Sequence, residues 1–387
     1  MLRVAFITPG AFSLPSSMGG SVERVVEKVV PWIAQHVQAR IYGRIGKRME
    51  ANRSLNGVTI ERFPGTHKAK YFKLVCARLK KYQPDIIQVE NRPLWVPRLK
   101  HAFPHSRIGL NLHSTTFIDS PHLNKEQLNR SLQAADYIQV NSEFLRTYIR
   151  NQVPQINGKI KMNHLGVDTL KFPGRSTSEG NRMREEWRDK HGWGNRPVVL
   201  YVGRLVPQKG VHHLLSALPE LLAKVPNMLV VIVGSARYGS HLQTSYVKRL
   251  YKQAKRWSKH VHFQPYVPHH EIPHWFLMAD VAVVPSVGQE AFGLVNLEAM
   301  AAELPVVATR AGGMQEVVID GLTGILVTKE SPAIVHELAD RIGYLLVNET
   351  ARQEMGRMGR ERVLNHFLWR HTAERWLKHQ AVKSISV

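Results

Sequence analysis

Short apolar runs alternate with amphipathic stretches along nearly the whole chain, and this alternation restricts the fold more than any other feature of the sequence. Val4–Ile7 reads as a buried strand, Val22–Gln35 as a helix, and Ile86–Val89, Ile108–Leu112 and Tyr137–Val140 as further strands. The same grammar returns in Val198–Val202, Leu229–Val233, Val261–Phe263, Val281–Val284, Val306–Thr309 and Ile325–Val327. Strands separated by helical stretches are the pattern of βαβ units on a parallel sheet. At 387 residues the chain also exceeds the roughly 250–300 residues at which a single core stops growing. The expected class is α/β, with two doubly wound parallel-sheet domains. Ligands of such sheets bind outside the carboxyl ends of the strands, so two domains facing each other would leave a cleft lined by those ends.

Phe172–Gly180 is poor in apolar residues and rich in turn formers, and it reads as a linker. The expected division is a first domain over 1–172, a linker at 173–180, a second domain over 181–364 and a C-terminal helix within 365–387. Phe367, Leu368, Trp369, Trp376 and Leu377 give that last helix an apolar face whose docking surface the sequence does not identify.

Composition narrows the class further. With 43% hydrophobic and 21% charged residues the chain can bury a large core, which excludes disordered and fibrous classes. Cys76 is the single cysteine, so no internal disulfide forms and a reducing cytoplasm is the expected compartment. The N-terminal apolar stretch breaks at Thr8, too early for a signal segment and too short for a membrane span. A net charge of +23 favours phosphates, nucleic acids or an anionic membrane surface without choosing among them.

Three loops that follow strands carry the chemistry. Ser16-Ser17-Met18-Gly19-Gly20-Ser21 leads into the first helix, and paired glycines there let backbone N–H groups approach an anion at the positive helix end. Taken alone it is equally an ordinary strand-to-helix loop. The dinucleotide pattern Gly-x-Gly-x-x-Gly is absent, which argues against a nicotinamide enzyme. Gly203-Arg204-Leu205-Val206-Pro207-Gln208-Lys209-Gly210 follows Val198–Val202 and precedes a helical run over Val211–Leu222. Arg204 and Lys209 can converge on one diphosphate, the arginine through its planar fork and the lysine as a point charge. Glu290-Ala-Phe-Gly-Leu294 follows Val281–Val284, and Gly293 should lie near the start of a helix running through Met300, with Glu298 about two turns along. A carboxylate at Glu298 suits a bidentate grip on a vicinal diol, whereas a solvated acidic face is the plain alternative.

Glu290 to Glu298, with Phe292-Gly293-Leu294 between, resembles the Glu-x7-Glu signature of the retaining family 4 glycosyltransferases, and Gly203-Arg204 with Lys209-Gly210 resembles that family's Gly-Arg-Leu-x-x-x-Lys-Gly loop. Ordered matches extend over nearly the whole chain: Gly19-Gly20, Leu165-Gly166-Val167-Asp168 with Phe172, Val233-Gly234, Ala279-Asp280-Val281, Pro305–Thr309, Gly312–Glu316 and Asp320–Gly324. The resemblance implies the two-domain GT-B fold, with Rossmann-like domains, the acceptor on the first and the nucleotide-sugar on the second. It implies that Gly20 brings its N–H to the donor phosphate, that Arg204 and Lys209 neutralise the leaving diphosphate, and that Glu298 holds the ribose hydroxyls. Glu290 would contact the transferred sugar, helped by the N–H groups of Phe292, Gly293 and Leu294. His113 resembles the family histidine beside the donor sugar and the reaction centre.

The implied reaction is transfer of a hexose-type sugar with retention, from a nucleoside diphosphate donor to a glycan, lipid or other cell-envelope or coat acceptor. Catalysis would rest on stabilising the leaving diphosphate and positioning the acceptor, so no cofactor and no metal are expected. Ser114 after His113, Gln264-Pro265 before Tyr266 and Glu90-Asn91-Arg92-Pro93 depart from the family pattern on the sugar or acceptor side. The Glu-Asn-Arg-Pro and His-Ser-Thr-Thr-Phe stretches are similar to bacterial spore-coat-associated members, which adds the inner membrane face or the spore coat as peripheral locations.

Lys68, Lys70, Lys73, Arg78, Lys80 and Lys81 surround an apolar stripe of Phe72, Val75 and Leu79 within 67–82. That helix either lies on anionic lipid or packs its stripe on the sheet with the lysines in water, and packing is the reading preferred. One other function stays in view. A non-catalytic carbohydrate-binding or coat-assembly protein could keep the fold. No nucleic-acid-binding motif accompanies the charge.

Overall fold

The computed structural model describes residues 1–16, 19–65, 67–237, 239 and 242–382. They form two compact units, which meet in sequence at Leu165 and Gly166 and again at Leu368 and Trp369.

In the first unit the strands are β1 (Arg3–Ile7), β2 (Gln38–Arg44), β3 (Asn52–Leu55), β4 (Val58–Phe63), β5 (Ile86–Glu90), β6 (Arg107–Leu112), β7 (Tyr137–Val140) and β8 (Ile160–Met162), in the sheet order β3-β4-β2-β1-β5-β6-β7-β8. All neighbours are parallel except β3 with β4. That antiparallel edge corrects the expected all-parallel sheet. It is a hairpin turned by Asn56 (φ 50°) and Gly57 (φ 75°), the Asn-Gly pairing that favours the tight turn matching strand twist. The helix Ser21–Ile33 buries Val25, Val26, Val29, Val30 and Ile33, the stripe its sequence presents.

The helix Lys68–Tyr82 buries Tyr71, Phe72, Val75, Leu79 and Tyr82, while Lys68, Lys70, Lys73, Lys80 and Lys81 are exposed. The preferred packing is thus the observed one, and only charge remains available to an anionic surface.

In the second unit β9 (Val198–Val202), β10 (Leu229–Val233), β11 (Val261–Gln264), β12 (Val281–Val284), β13 (Val306–Thr309) and β14 (Gly324–Val327) form an all-parallel sheet in the order β11-β10-β9-β12-β13-β14. Starting at β9, the order runs one way to β11 and the other way from β12, so the switch point lies between β9 and β12. The helical run expected over Val211–Leu222 is two helices, Val211–Ser216 and Leu218–Lys224, with Pro219 in the first turn of the second. Proline supplies no N–H and is tolerated only in that first turn.

The expected linker is not a free connection. Phe172 is buried, Arg175 donates to Asp280 at 3.2 Å, and Ser176 N–H donates to Glu303 at 2.8 Å, so 173–180 packs within the second unit. The boundary expected at 172 therefore lies earlier, at Leu165. The tail expected as one element is divided as well: Val167 N–H donates to Phe367 O at 2.8 Å within the second unit, whereas Trp369–His379 packs against Ser21–Ile33 in the first.

Candidate functional site

In the second unit the two phosphate and sugar loops leave adjacent strands, β9 and β12, at the carboxyl edge of the sheet. Backbone hydrogen bonds clasp them together: Val287 N–H and Gly288 N–H both donate to Gln208 O, at 2.9 and 3.0 Å. Gly210 (φ 71°) makes the approach possible, because a Cβ there would stand 1.8 Å from Pro285 O. Gly312 (φ 58°) does the same on the other side, where a Cβ would meet Glu290 O at 2.1 Å, and Gly313 N–H donates to that oxygen at 2.9 Å. The Glu290 backbone is thus pinned between two loops.

The clasp brings the Lys209 ammonium onto the Glu290 carboxylate as a half-buried ion pair. Gly203 N–H donates to Val233 O and the Tyr201 hydroxyl donates to Arg204 O, fixing the start of the loop while the Arg204 residue remains exposed. Gly293 caps the helix Leu294–Ala301 and accepts Asn296 N–H at 3.0 Å, and the N–H groups that open such a helix point outward from its positive end. Phe292 is buried edge-on against Phe367 and anchors the approach to that helix. Glu298, buried in the same helix, meets His269 Nε2 at 2.9 Å. His269 escaped the sequence reading, since no motif marks its loop beyond the His269-His270 pair. Together these residues form a rim of cations, helix N–H groups and two carboxylates that suits a phosphorylated, hydroxyl-rich ligand.

In the first unit Gly20 (φ 90°) caps Ser21–Ile33, and Gly19 precedes it. Ser17 and Met18 of the same motif lie outside the described residues. Glu23, in the first turn of the helix, accepts Phe12 N–H at 3.3 Å. Burial pushes its carboxyl up, opposed by backbone N–H groups and by the charges of Arg92 and His113. His113 follows β6 and is held through Nε2 by Glu90 Oε2 at 2.6 Å. Its backbone N–H donates to Asn91 Oδ1 at 2.9 Å, and its carbonyl accepts from Asn141 at 3.2 Å. Glu90 continues inward: Gln88 donates to Glu90 Oε1 at 2.7 Å, and Gln88 Oε1 accepts from Tyr137 and from Trp376 Nε1. Glu23, Arg92 and His113 thus stand at the carboxyl ends of the neighbouring strands β1, β5 and β6.

Among the described residues no group of three or more His, Cys, Asp or Glu side chains is placed to hold a metal ion, and no helix is long and apolar enough to cross a membrane.

The family model described as Glycosyl transferases group 1 matches residues 183–362. Spore coat protein SA of Bacillus subtilis (strain 168) is 31% identical over 377 residues, covering 97% of this chain and 98% of its own. A GDP-mannose-dependent alpha-(1-6)-phosphatidylinositol monomannoside mannosyltransferase of Mycolicibacterium smegmatis is 35% identical over 236 residues, 59% of this chain and 58% of its own. Among solved structures, sucrose-phosphate synthase from Thermosynechococcus elongatus superposes with a TM-score of 0.81 at 22% identity, covering 98% of each chain. Anabaena HepE in complex with UDP-glucose superposes with a TM-score of 0.77 at 21% identity, over 98% of this chain and 100% of that one.

Proposed function

This chain belongs to the glycosyl transferases group 1 family and has the GT-B fold, and from that premise we propose that it moves a hexose-type sugar, with retention, from a nucleoside diphosphate donor to a cell-envelope or coat acceptor. The observation that carries the reading is the clasp of the two loops, which puts Lys209 on Glu290 at the rim where Arg204 and the Leu294–Ala301 helix also stand.

With donor bound, Lys209 would exchange Glu290 for the diphosphate, and Glu290 would turn to hydroxyls of the transferred sugar. Arg204 and Lys209 then stabilise the negative charge that develops as the sugar–phosphate bond breaks, which is where such a site gains most of its rate. The N–H groups of Phe292, Gly293 and Leu294 add partial positive charge at the same end of the helix. Glu298 takes the ribose diol in place of His269. The mechanism routes no step through a metal. In the first unit, Gly19 and Gly20 are assigned to the donor phosphate and His113 to the sugar, on the family pattern. Cytoplasmic residence, with peripheral attachment to the inner membrane face or the spore coat, completes the proposal.

The likeness to Spore coat protein SA favours one rival, a non-catalytic coat-assembly protein with the same fold. Purified protein incubated with UDP-, GDP-, ADP- and dTDP-sugars, with NMR of any product anomer, separates the two. Hydrolysis or transfer with the donor's anomeric configuration kept supports the proposal. An inverted product refutes retention, and no turnover with any donor leaves the rival standing.

A further inference from the structure

The sequence Glu90-Asn91-Arg92-Pro93 at the end of β5 makes a sharp turn that fixes one arginine beside Asn91 and Phe117. Asn91 takes the left-handed conformation (φ 50°), which asparagine tolerates better than most residues. Its side chain accepts His113 N–H at 2.9 Å, its own N–H donates to Asn111 O at 2.9 Å, and Pro93 opens a short 3-10 turn immediately after. Arg92 is therefore held from both sides. Its guanidinium lies 4.6 Å from the Phe117 ring centre and 5.9 Å from that of Trp95, with Nη1 donating to Asn91 O at 3.1 Å.

What this arginine lacks is an ion-pair partner. Among the described residues it forms no ion pair; Nε is buried without a partner, and no bond is made by Nη2. Burial lowers its pKa, and Glu23 is the one carboxylate whose field counters this. Charged groups removed from water are normally paired, and an arginine that stays unpaired while its position is fixed by three neighbours is kept for something. On the other side of Asn91, His113 Nδ1 is also buried without a partner. A cation with uncommitted donors and an imidazole nitrogen without a partner therefore flank one turn at the carboxyl end of the sheet.

We propose that Arg92 anchors an anionic group of the acceptor, a phosphate or a carboxylate, so that the acceptor is an acidic or phosphorylated compound carrying a hydroxyl. The inference rests on the glycosyltransferase reading and adds the acceptor's class to it. A planar guanidinium stacked on an aromatic ring presents its remaining N–H groups in one plane, which matches two oxygens of such an anion better than it matches a lone hydroxyl.

The test uses the full chain with Arg204→Ala and Lys209→Ala, so that simple anions do not report on the donor loops. Methyl phosphate, acetate and methyl glucoside are titrated separately by calorimetry, and the titrations are repeated after adding Arg92→Gln or Arg92→Lys. The expected result is binding of one or both anions but not the glucoside, with affinity falling about tenfold or more in Arg92→Gln, the scale of one charge-assisted hydrogen bond. Arg92→Lys should retain part of that affinity. The stronger of the methyl phosphate and acetate arms identifies the group. The inference is overturned if neither anion binds, or if Arg92→Gln binds them as tightly as its parent. Thermal shifts with UDP-, GDP- and ADP-glucose on the wild type report separately: no shift with any nucleotide-sugar counts against the donor reading, whatever the anions do.

Discussion

Glu90 Oε2 and His113 Nε2 stand 2.6 Å apart, both side chains almost fully buried, at the ends of adjacent strands. A carboxylate accepts only, so the ring donates through Nε2 and its orientation is set by Glu90. The other oxygen of Glu90 accepts from Gln88, so this carboxylate serves two buried donors. Glu90→Ala orphans both, at about 1–3 kcal/mol each, whereas Glu90→Gln keeps one acceptor. Unfolding free energy should fall in the order wild type, Glu90→Gln, Glu90→Ala, and turnover should fall in parallel as His113 loses its fixed ring plane. Three proteins of equal stability and turnover would show that the pair orients nothing.

Arg204→Ala and Lys209→Ala should each lower kcat by about 10²–10³, the loss typical when one preorganised donor to developing charge is removed. Glu290→Ala should raise the donor KM together with lowering kcat, because the contact with hydroxyls of the transferred sugar is lost. Steady-state kinetics on the three variants checks this. Near wild-type kcat in both cation variants would remove the leaving-group role from this loop.

Glu298→Ala should act differently, weakening nucleotide binding with kcat largely kept, because a ribose contact is made equally in the ground and transition states. A rise of about tenfold or more in donor KM, and in the dissociation constant of the free nucleoside diphosphate, is expected from losing a charge-assisted grip on a diol. An unchanged nucleotide affinity contradicts the assignment.

The second unit was legible strand by strand because its parallel strands are continuous Val, Ile and Leu runs, as in Leu229–Val233. The first unit's β2, β3 and β4 were not, since Gln38–Arg44 and Asn52–Leu55 interleave polar and charged residues and no apolar run announces them. Asn56-Gly57 was the overlooked signal for their hairpin. In the site, Lys209 and Glu290 were singled out by their motifs, but their pairing depends on Gly210 and Gly312 closing two loops that are far apart in sequence. His269 against Glu298 and Glu90 against His113 are likewise contacts across sequence, invisible to spacing.

Several imidazoles of the second unit are half-buried. Burial pushes His212 down to about 4, helped by the charges of His213 and Arg249, and burial also lowers His213, His262 and His274. Each has a folded-state pKa below its ordinary value of 6.5. Their neutral forms therefore contribute stability that is fully present above about pH 6.5 and is lost as the pH falls through each folded value, which for His212 is about 4. The melting temperature should decline across that window, and His212→Gln should flatten part of the decline. A pH-independent melting temperature between 6.5 and 4 would show that these rings carry no such linkage.

Trp376 makes the C-terminal helix part of the first unit's core. Its ring is 1% exposed, lies 5.6 Å from Phe6, and donates its indole N–H to Gln88 Oε1 at 2.5 Å. Gln88 in turn reaches Glu90, so the last helix supports the strand end that orients His113. Trp376→Ala should cost about 3–5 kcal/mol through the cavity it leaves, a large share of the roughly 5–15 kcal/mol that keeps a domain folded. Trp376→Phe keeps most of the packing, and Tyr137 still bonds Gln88 Oε1, so its loss should be much smaller. A chain ended at Leu368 removes the whole face formed by Trp369, Ala373, Trp376 and Leu377, and its first unit should lose cooperative unfolding in calorimetry while the second retains its own transition. Two intact transitions in the shortened chain would mean that the terminal helix lies against the first unit without stabilising it.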